Sequence, residues 1–342
     1  VITANPGSGG GVGSYSTVDL LTRNVSRDIR RGGVHSDSLA RVFGGRIYVV
    51  NRLNADNIQI IDPQQGFTTP TNAQVSVGNG SNPQDIAFVS TTRAYVSRLT
   101  SPSLLILNPT TLQTLGTLDL RARIKTNDRD GSPEPAYMLV NNGLLYVVLQ
   151  HLDTQNFFTP LARGEIVVVD PATDRVVQTI DLPGSNPISQ LHFSPTLKRI
   201  LISCVGNFGV NDGGIFALDP ATNTLDPAIG ISEAAMGGDV TDFEIISSTK
   251  GFAIISDATF ANALVTFNPS TGQRLGTILG PVNIFMPHLA VNSRNELYLA
   301  VRDLRTPTPG LRLFDTVNDR DLTGGQALNV GQLPPIWTVF LD

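Results

Sequence analysis

Two groups of residues in this chain have side chains able to do chemistry. The first is local: Asn127-Asp128-Arg129-Asp130-Gly131, with Glu134 three residues on. Hard carboxylate oxygens around a glycine that permits a tight turn resemble a fragment of a calcium loop. The full alternating pattern of an EF-hand is missing and Arg129 stands among the acids, so a solvated polar loop is the competing reading. The second group is dispersed. Asp85, Asp242 and His288 fall near the start of successive β segments, with Tyr137 and Gln190 at matching positions and His192 and Glu244 one step further. Carboxylates and imidazoles converging on one place could bind a divalent metal or perform acid–base work. Against that, half of such side chains can point elsewhere, and four histidines in 342 residues is close to background.

The elements that would position these residues recur. Short turns read Asp62-Pro63-Gln64-Gln65-Gly66, Asn108-Pro109-Thr110-Thr111, Asp170-Pro171-Ala172-Thr173, Asp219-Pro220-Ala221-Thr222 and Asn268-Pro269-Ser270-Thr271-Gly272, with a Pro-less version at Asp315-Thr316-Val317-Asn318-Asp319. Each lies between two aliphatic runs. The leading Asp or Asn can accept a bond from the turn backbone while Pro presets φ, so these acids are read as turn formers and not as catalysts. Short β-branched runs recurring at intervals of about 43 to 62 residues predict an all-β, seven-bladed β-propeller of four-stranded antiparallel blades.

Six units start near Asp37, Asp85, Tyr137, Ser189, Thr241 and His288. A seventh opening strand, Ile336 to Leu341, has no chain after it. Its three missing strands are read at the other end, as Val1 to Asn5, Ser16 to Leu20 and Arg23 to Ile29. The blade split between residues 1–36 and 335–342 would remove an open sheet edge. Six blades is the competing count. No linker divides residues 1–342, so one domain is expected, with at most a helical turn within Asp226 to Met236.

The repeats resemble the YVTN-type seven-bladed propeller family, related to YncE-like and lactonase-like propellers. The resemblance rests on Tyr48-Val49-Val50-Asn51 before Ile58-Gln59-Ile60-Ile61-Asp62, on Leu145-Tyr146-Val147-Val148 before Ile166 to Thr173 and Val176 to Ile180, and on Tyr298-Leu299-Ala300. It implies an exported bacterial protein, periplasmic or at the cell surface, often lipid-anchored. It also implies that any catalytic site would sit at the mouth of the central channel, as in lactonase-like propellers, and so among Asp85, His192, Asp242, Glu244 and His288. A quinone-dependent dehydrogenase propeller would repeat tryptophan, whereas Trp337 is the only one here.

Alternating strand direction sorts the connections onto two faces. Those between strands one and two, and three and four, are tight. Long ones gather on the other face: Pro6 to Gly13, Gly32 to Ser36, Arg121 to Pro135, Gln150 to Gly164, Gly206 to Gly214, Ile229 to Asp239 and Arg302 to Gly310. Long loops at one end of a rigid scaffold are where binding usually resides, with neutral drift as the bland alternative. Phe157, Phe158, Arg302 and Arg305 are the candidate contact residues, because interfaces favour aromatic and arginine anchors. The Phe pair could equally tuck beneath its own loop.

Composition narrows the partners. Net charge is −5 without a basic stripe, which disfavours nucleic acid. No apolar run reaches the roughly 18 residues that span a bilayer. The lone Cys204 excludes an internal disulfide and sits in an aliphatic run, as a buried apolar residue would. There is no Gly-x-Ser-x-Gly elbow, no Cys-x-x-Cys-His and no phosphate loop. Val1 in place of Met is what loss of a signal peptide or lipid-attachment segment would leave, or simply omission of upstream residues. The expectation is a non-enzymatic binding or scaffold propeller, meeting a protein or envelope polymer, alone or as a component of a larger envelope assembly. The alternative is a lactonase-like metal-dependent hydrolase.

Overall fold

The computed structural model describes residues 1–4, 11–30, 33–302 and 309–341. It contains two compact units, Ser81–Val282, and Val1–Gly80 with Asn283–Asp342. The first holds four sheets of four antiparallel strands each, in simple sequential order, and one two-stranded ribbon. Blade 2 is Pro83–Ser90, Arg93–Arg98, Ser103–Leu107 and Thr114–Asp119; blade 3 is Pro135–Asn141, Leu144–Leu149, Arg163–Asp170 and Arg175–Ser185. Blade 4 is His192–Ser194, Arg199–Cys204, Gly214–Asp219 and Thr224–Ser232; blade 5 is Asp239–Ile245, Gly251–Ser256, Asn262–Phe267 and Arg274–Val282.

The other unit holds blade 1 (Ser38–Phe43, Arg46–Asn51, Asn57–Ile61, Gln74–Ser76) and blade 6 (Leu289–Val291, Glu296–Val301, Gly310–Asp315, Leu328–Asn329). It also holds the blade made from both chain ends, where Ile2–Ala4 lies between Pro335–Trp337 and Gly13–Tyr15. Ile2 pairs with Trp337 and with Tyr15, so the terminal strands close the ring as expected. The fold is an all-β, seven-bladed propeller.

One detail of the split blade differs from expectation. Its third strand begins at Gly13, earlier than Ser16, and breaks at Ser16, whose hydroxyl donates to Val330 O and accepts from Asp28 N. Beyond the break, Thr17–Val18 pairs with Val25–Ser26 as a separate two-stranded ribbon. Other boundaries shift where loops were expected. Thr224–Ser232 is strand through the first residues of the supposed loop from Ile229 to Asp239, followed by one helical turn, Glu233–Met236, capped by Ser232 Oγ on Ala235 N.

The recurrent turns explain themselves. The leading side chain accepts from the N–H two residues on at Asp62, Asn108, Asp170, Asp219, Asn268 and Asp315, at 2.8–3.0 Å. Asp19 makes the same bond to Leu21 N at 3.0 Å, giving the split blade its turn too. The fifth residue of every one is left-handed: Gly66, Leu112, Asp174, Asn223, Gly272, Asp319 and Arg23 have φ between 54° and 70°. These local bonds fix where strand three ends and strand four begins.

Between blades the contact is apolar. Strand Leu144–Leu149 is buried on both faces: Leu145, Val147 and Leu149 pack with blade 2, Tyr146 and Val148 with blade 4. The second-strand tyrosines carry the contact to its polar end. Tyr146 is fully buried, yet its hydroxyl donates to Asn223 Oδ1 in the next blade's turn at 2.6 Å. Tyr95 reaches Asp174, which Arg93 also binds, and Tyr298 accepts from Arg23. In each case the partner is the left-handed residue of the following turn. Tyr146→Phe keeps the ring and loses only this bond, so it should lower unfolding free energy by about 1 kcal/mol, whereas Tyr146→Ala should cost about 3–5 kcal/mol. Denaturant melts followed by circular dichroism measure both, and a Phe variant as stable as the parent would deny the latch any energetic part.

Candidate functional site

Residues 120–134 lead into blade 3, and residues 150–162 join its second and third strands. The first begins with a 3-10 turn, Arg121–Arg123, and the second is a small ribbon pairing Leu152–Asp153 with Thr159–Pro160. They are laced together. Asp130 Oδ2 accepts from Thr154 N (3.1 Å) and Thr154 Oγ1, Glu134 Oε2 accepts from Leu152 N (2.8 Å), and Arg129 pairs with Asp153. Asp128 Oδ1 folds the loop by accepting from Asp130 N and Gly131 N at 2.9 and 3.0 Å. Ser132 Oγ ties it down on Leu99 O at 2.6 Å.

This folding brings Asp128, Asp130 and Glu134 together, with one carboxylate oxygen of each within 4.8 Å of the others. Asp128 and Asp130 are half-buried and Glu134 fully buried. Burial, followed by repulsion from Asp130 and Asp128, pushes Glu134 up to about 9. Its Oε1 has no hydrogen-bond partner among the described residues. Alongside lies a compensated group. Glu165 binds Lys125 at 2.7 Å and faces His151 at 3.4 Å. Burial alone would raise its pKa, but these two partners outweigh it and hold it down at about 2.

The dispersed group is placed as follows. Asp85 is fully buried and accepts from Ile86 N and from Met138 N of the neighbouring blade, at 2.8 and 2.9 Å. That carboxylate joins two first strands. Asp242 accepts from Phe243 N in the same manner. His192 and Glu244 do come together, Nδ1 to Oε2 at 3.4 Å, with the imidazole 4.6 Å from the Phe243 ring. His288, in the other unit, is buried and stacked on Trp337 at 4.0 Å, with Nε2 3.2 Å from Thr338 O. Cys204 is buried, and burial with nearby Glu233 raises its thiol, as for an inert residue.

Of the contact candidates, Phe157 is 97% exposed and Phe158 51%. Both have left-handed backbones, and Phe158 N donates to Asp153 O at 3.0 Å. Arg302 lies over the Phe285 ring at 5.7 Å, and burial lowers its guanidinium. Arg305 lies outside the described residues. Two residues overlooked in the sequence share the placement of the Phe pair. Phe208 (52% exposed) and Phe260 (61%) stand in the strand two-to-three connections of blades 4 and 5. Each is the lone aromatic in a polar run, Gly206-Asn207-Phe208-Gly209 and Asp257-Ala258-Thr259-Phe260, which was the available signal.

A second buried acidic pair was also not foreseen. Glu233 heads the single helical turn and Asp239 opens blade 5; both are buried, and Glu233 Oε1 and Asp239 Oδ1 have no hydrogen-bond partner among the described residues. Their other oxygens accept from Gly213 N and Gly209 N, each at 2.7 Å. A Cβ at Gly213 would come within 2.0 Å of Cys204 O and 2.9 Å of Glu233 Oε1, so the glutamate lies directly against backbone. Burial first, and then Asp239, push Glu233 up to about 8.

No protein-family model matches the chain, and no curated protein matches it. Solved structures do. The Dos1 propeller aligns over 96% of this chain and 77% of its own, at 11% identity and a TM-score of 0.61. Hydrazine synthase of Kuenenia stuttgartiensis aligns over 82% and 76%, at 14% identity and 0.57. A luciferin-regenerating enzyme aligns over 90% and 89%, at 14% identity and 0.52. At such identities the likeness is one of fold, and the same fold carries both enzymes and a propeller of other description.

Glu233 gives a pH test. A carboxyl whose folded pKa is raised binds its proton more tightly when folded. Its contribution is therefore complete below the ordinary carboxyl range and is lost as pH rises towards about 8. Glu233→Gln should flatten the fall in melting temperature between about pH 5 and 8. Parallel wild-type and variant curves across that window would sink the assignment.

Proposed function

We propose that this protein is a non-catalytic binding propeller of the YVTN type that engages a protein partner through the strand two-to-three connections of blades 3, 4 and 5. One observation carries the reading: Phe157, Phe158, Phe208 and Phe260 are all more than half exposed on successive connections of the same kind. Leaving aromatic rings in water forgoes stabilisation, and clustered exposure of this sort marks contact surfaces. Three of the four, Phe157, Phe158 and Phe260, have φ of 53°, 58° and 61°, a region unfavourable for a bulky residue. Local bonds hold them there: Phe260 N donates to Asp257 O at 2.8 Å, and Asp257 Oδ1 accepts from Thr259 N and Ala261 N. Neighbouring connections also abut, since a Cβ on Gly209 would lie 3.7 Å from Ala258 Cα. The opposite ends of these blades carry tight polar turns such as Asp170 to Thr173 and Asp219 to Thr222, which offer no comparable anchors. Arg302 and Arg305 remain candidate contacts.

Location in the bacterial envelope, periplasmic or at the surface and with or without a lipid anchor, belongs to the same proposal. It is supported by the YVTN resemblance and by the single cysteine. No helix among the described residues is long and apolar enough to cross a membrane. The second reading, a metal-dependent hydrolase, is favoured by the His192–Glu244 pair. It predicts that His192→Ala abolishes a lactonase activity in protein supplied with a divalent ion.

For the binding reading, a photo-crosslinking residue is placed at position 158, 208 or 260, or at Thr222 on the turn side, in cells of the source. The first three should trap the same partner and Thr222 should not. Once that partner is purified, Phe158→Ser and Phe208→Ser should each weaken it about tenfold, about 1.4 kcal/mol. Trapping confined to Thr222, or affinities unchanged by both substitutions, would put the interface elsewhere.

A further inference from the structure

Charge accounting around Asp128, Asp130 and Glu134 carries one further step. Each basic side chain of the connection that bears them is engaged elsewhere. Arg121 pairs with Asp119, Arg123 bonds Thr179 Oγ1, Lys125 pairs with Glu165 and Arg129 turns away to Asp153. The three carboxylates thus share a half-buried to fully buried space with no cation of this loop to neutralise them. Such a gathering is costly without a proton or an ion. Glu134 states the deficit most plainly. Its Oε2 is satisfied by Leu152 N, while Oε1, buried beside the two aspartates, has no partner among the described residues.

We propose that Asp128, Asp130 and Glu134 form a binding site for one calcium ion. The donors are all carboxylate oxygens, with no histidine or cysteine in the cluster, which selects a hard cation over zinc or copper. The spacing fits. Oxygens about 2.3–2.6 Å from a common calcium can lie no more than roughly 4.6–5.2 Å apart, and these lie within 4.8 Å. The ligands are held in place without the ion. Asp128 is fixed by Asp130 N and Gly131 N, Asp130 by Ser132 N and Thr154, and Glu134 by Leu152 N. Water completes the coordination shell, as it does at many calcium sites. Because Asp130 and Glu134 are hydrogen-bonded to residues 152–154, a bound ion staples the connection entering blade 3 to the one between its second and third strands. None of the three ligands is one of the aromatic contacts, and the test of the site uses no partner.

Full-length protein is stripped with chelator and titrated calorimetrically with calcium chloride, then with magnesium chloride, and melted with and without calcium. One equivalent of calcium should bind, the melting temperature should rise with calcium concentration, and magnesium should bind at least tenfold more weakly. Asp128→Asn, at a half-exposed position that leaves the buried bonds intact, should weaken calcium at least tenfold, and Glu134→Gln should abolish binding. If Glu134→Gln fails to fold, the Asp128→Asn comparison decides alone. Absence of saturable binding up to about 10 mM calcium, beyond the weak end of known calcium modules, would overturn the proposal. So would an affinity unchanged in Asp128→Asn.

Discussion

The contact on which the rest depends is the one between consecutive blades, built around a buried tyrosine. Tyr146 contributes its whole ring to the apolar layer and places its hydroxyl on Asn223 at the left-handed end of the next turn. Tyr95 and Asp174 repeat the arrangement, and Tyr298 with Arg23 does so in the other unit. A sheet with both faces buried is otherwise free to slide against its neighbour, because aliphatic layers have little directional preference. The hydroxyl removes that freedom. It reads a backbone position that the Asp or Asn at the head of the turn has already fixed. Local turn chemistry and long-range packing thus specify one another.

That coupling explains which parts were legible in the sequence. The turns could be read because their deciding bond spans two residues, from Asp170 Oδ1 to Ala172 N, for example. Strands such as Leu144–Leu149 could be read because burial on both faces demands an unbroken apolar run. The split blade was harder. Its turn, Asp19-Leu20-Leu21-Thr22-Arg23, lacks the Pro, and its third strand is interrupted at Ser16 by a bond to Val330, more than 300 residues away in sequence. Nothing local announces such a break.

Site residues divide along the same line. Asp128, Asp130 and Glu134 sit within seven residues of chain, so their proximity was visible, though the engagement of Arg129 with Asp153 was not. Asp85 looks the same in sequence as any carboxylate near the start of a strand. Its use as an acceptor for Ile86 N and Met138 N depends on the register between two blades. His288 likewise owes its setting to Trp337, contributed by the far end of the chain. Exposure of Phe157, as against burial under its own loop, depends on the ribbon formed by Leu152–Asp153 and Thr159–Pro160, whose pairing is too short to carry a pattern.

Several unfavourable features among the described residues share one kind of placement. Among the described residues, left-handed Phe157, Phe158 and Phe260 and the carboxyls of Glu134, Glu233 and Asp239 lie in or beside the connections entering blades 3 and 5 and those between second and third strands, whereas left-handed Phe67 and Asp319 belong to tight turns. In the tight turns between strands three and four of the same blades, Asp170, Asp219 and Asn268 each bond their own backbone. A scaffold made rigid by repeated, locally consistent blades can tolerate strain and buried charge where it is not needed for folding. Neutral drift would put exposed polar residues in such loops, since these are the substitutions that cost least. Exposed rings at Phe157, Phe208 and Phe260 depart from that expectation, whereas polar turns such as Asp170 to Thr173 conform to it.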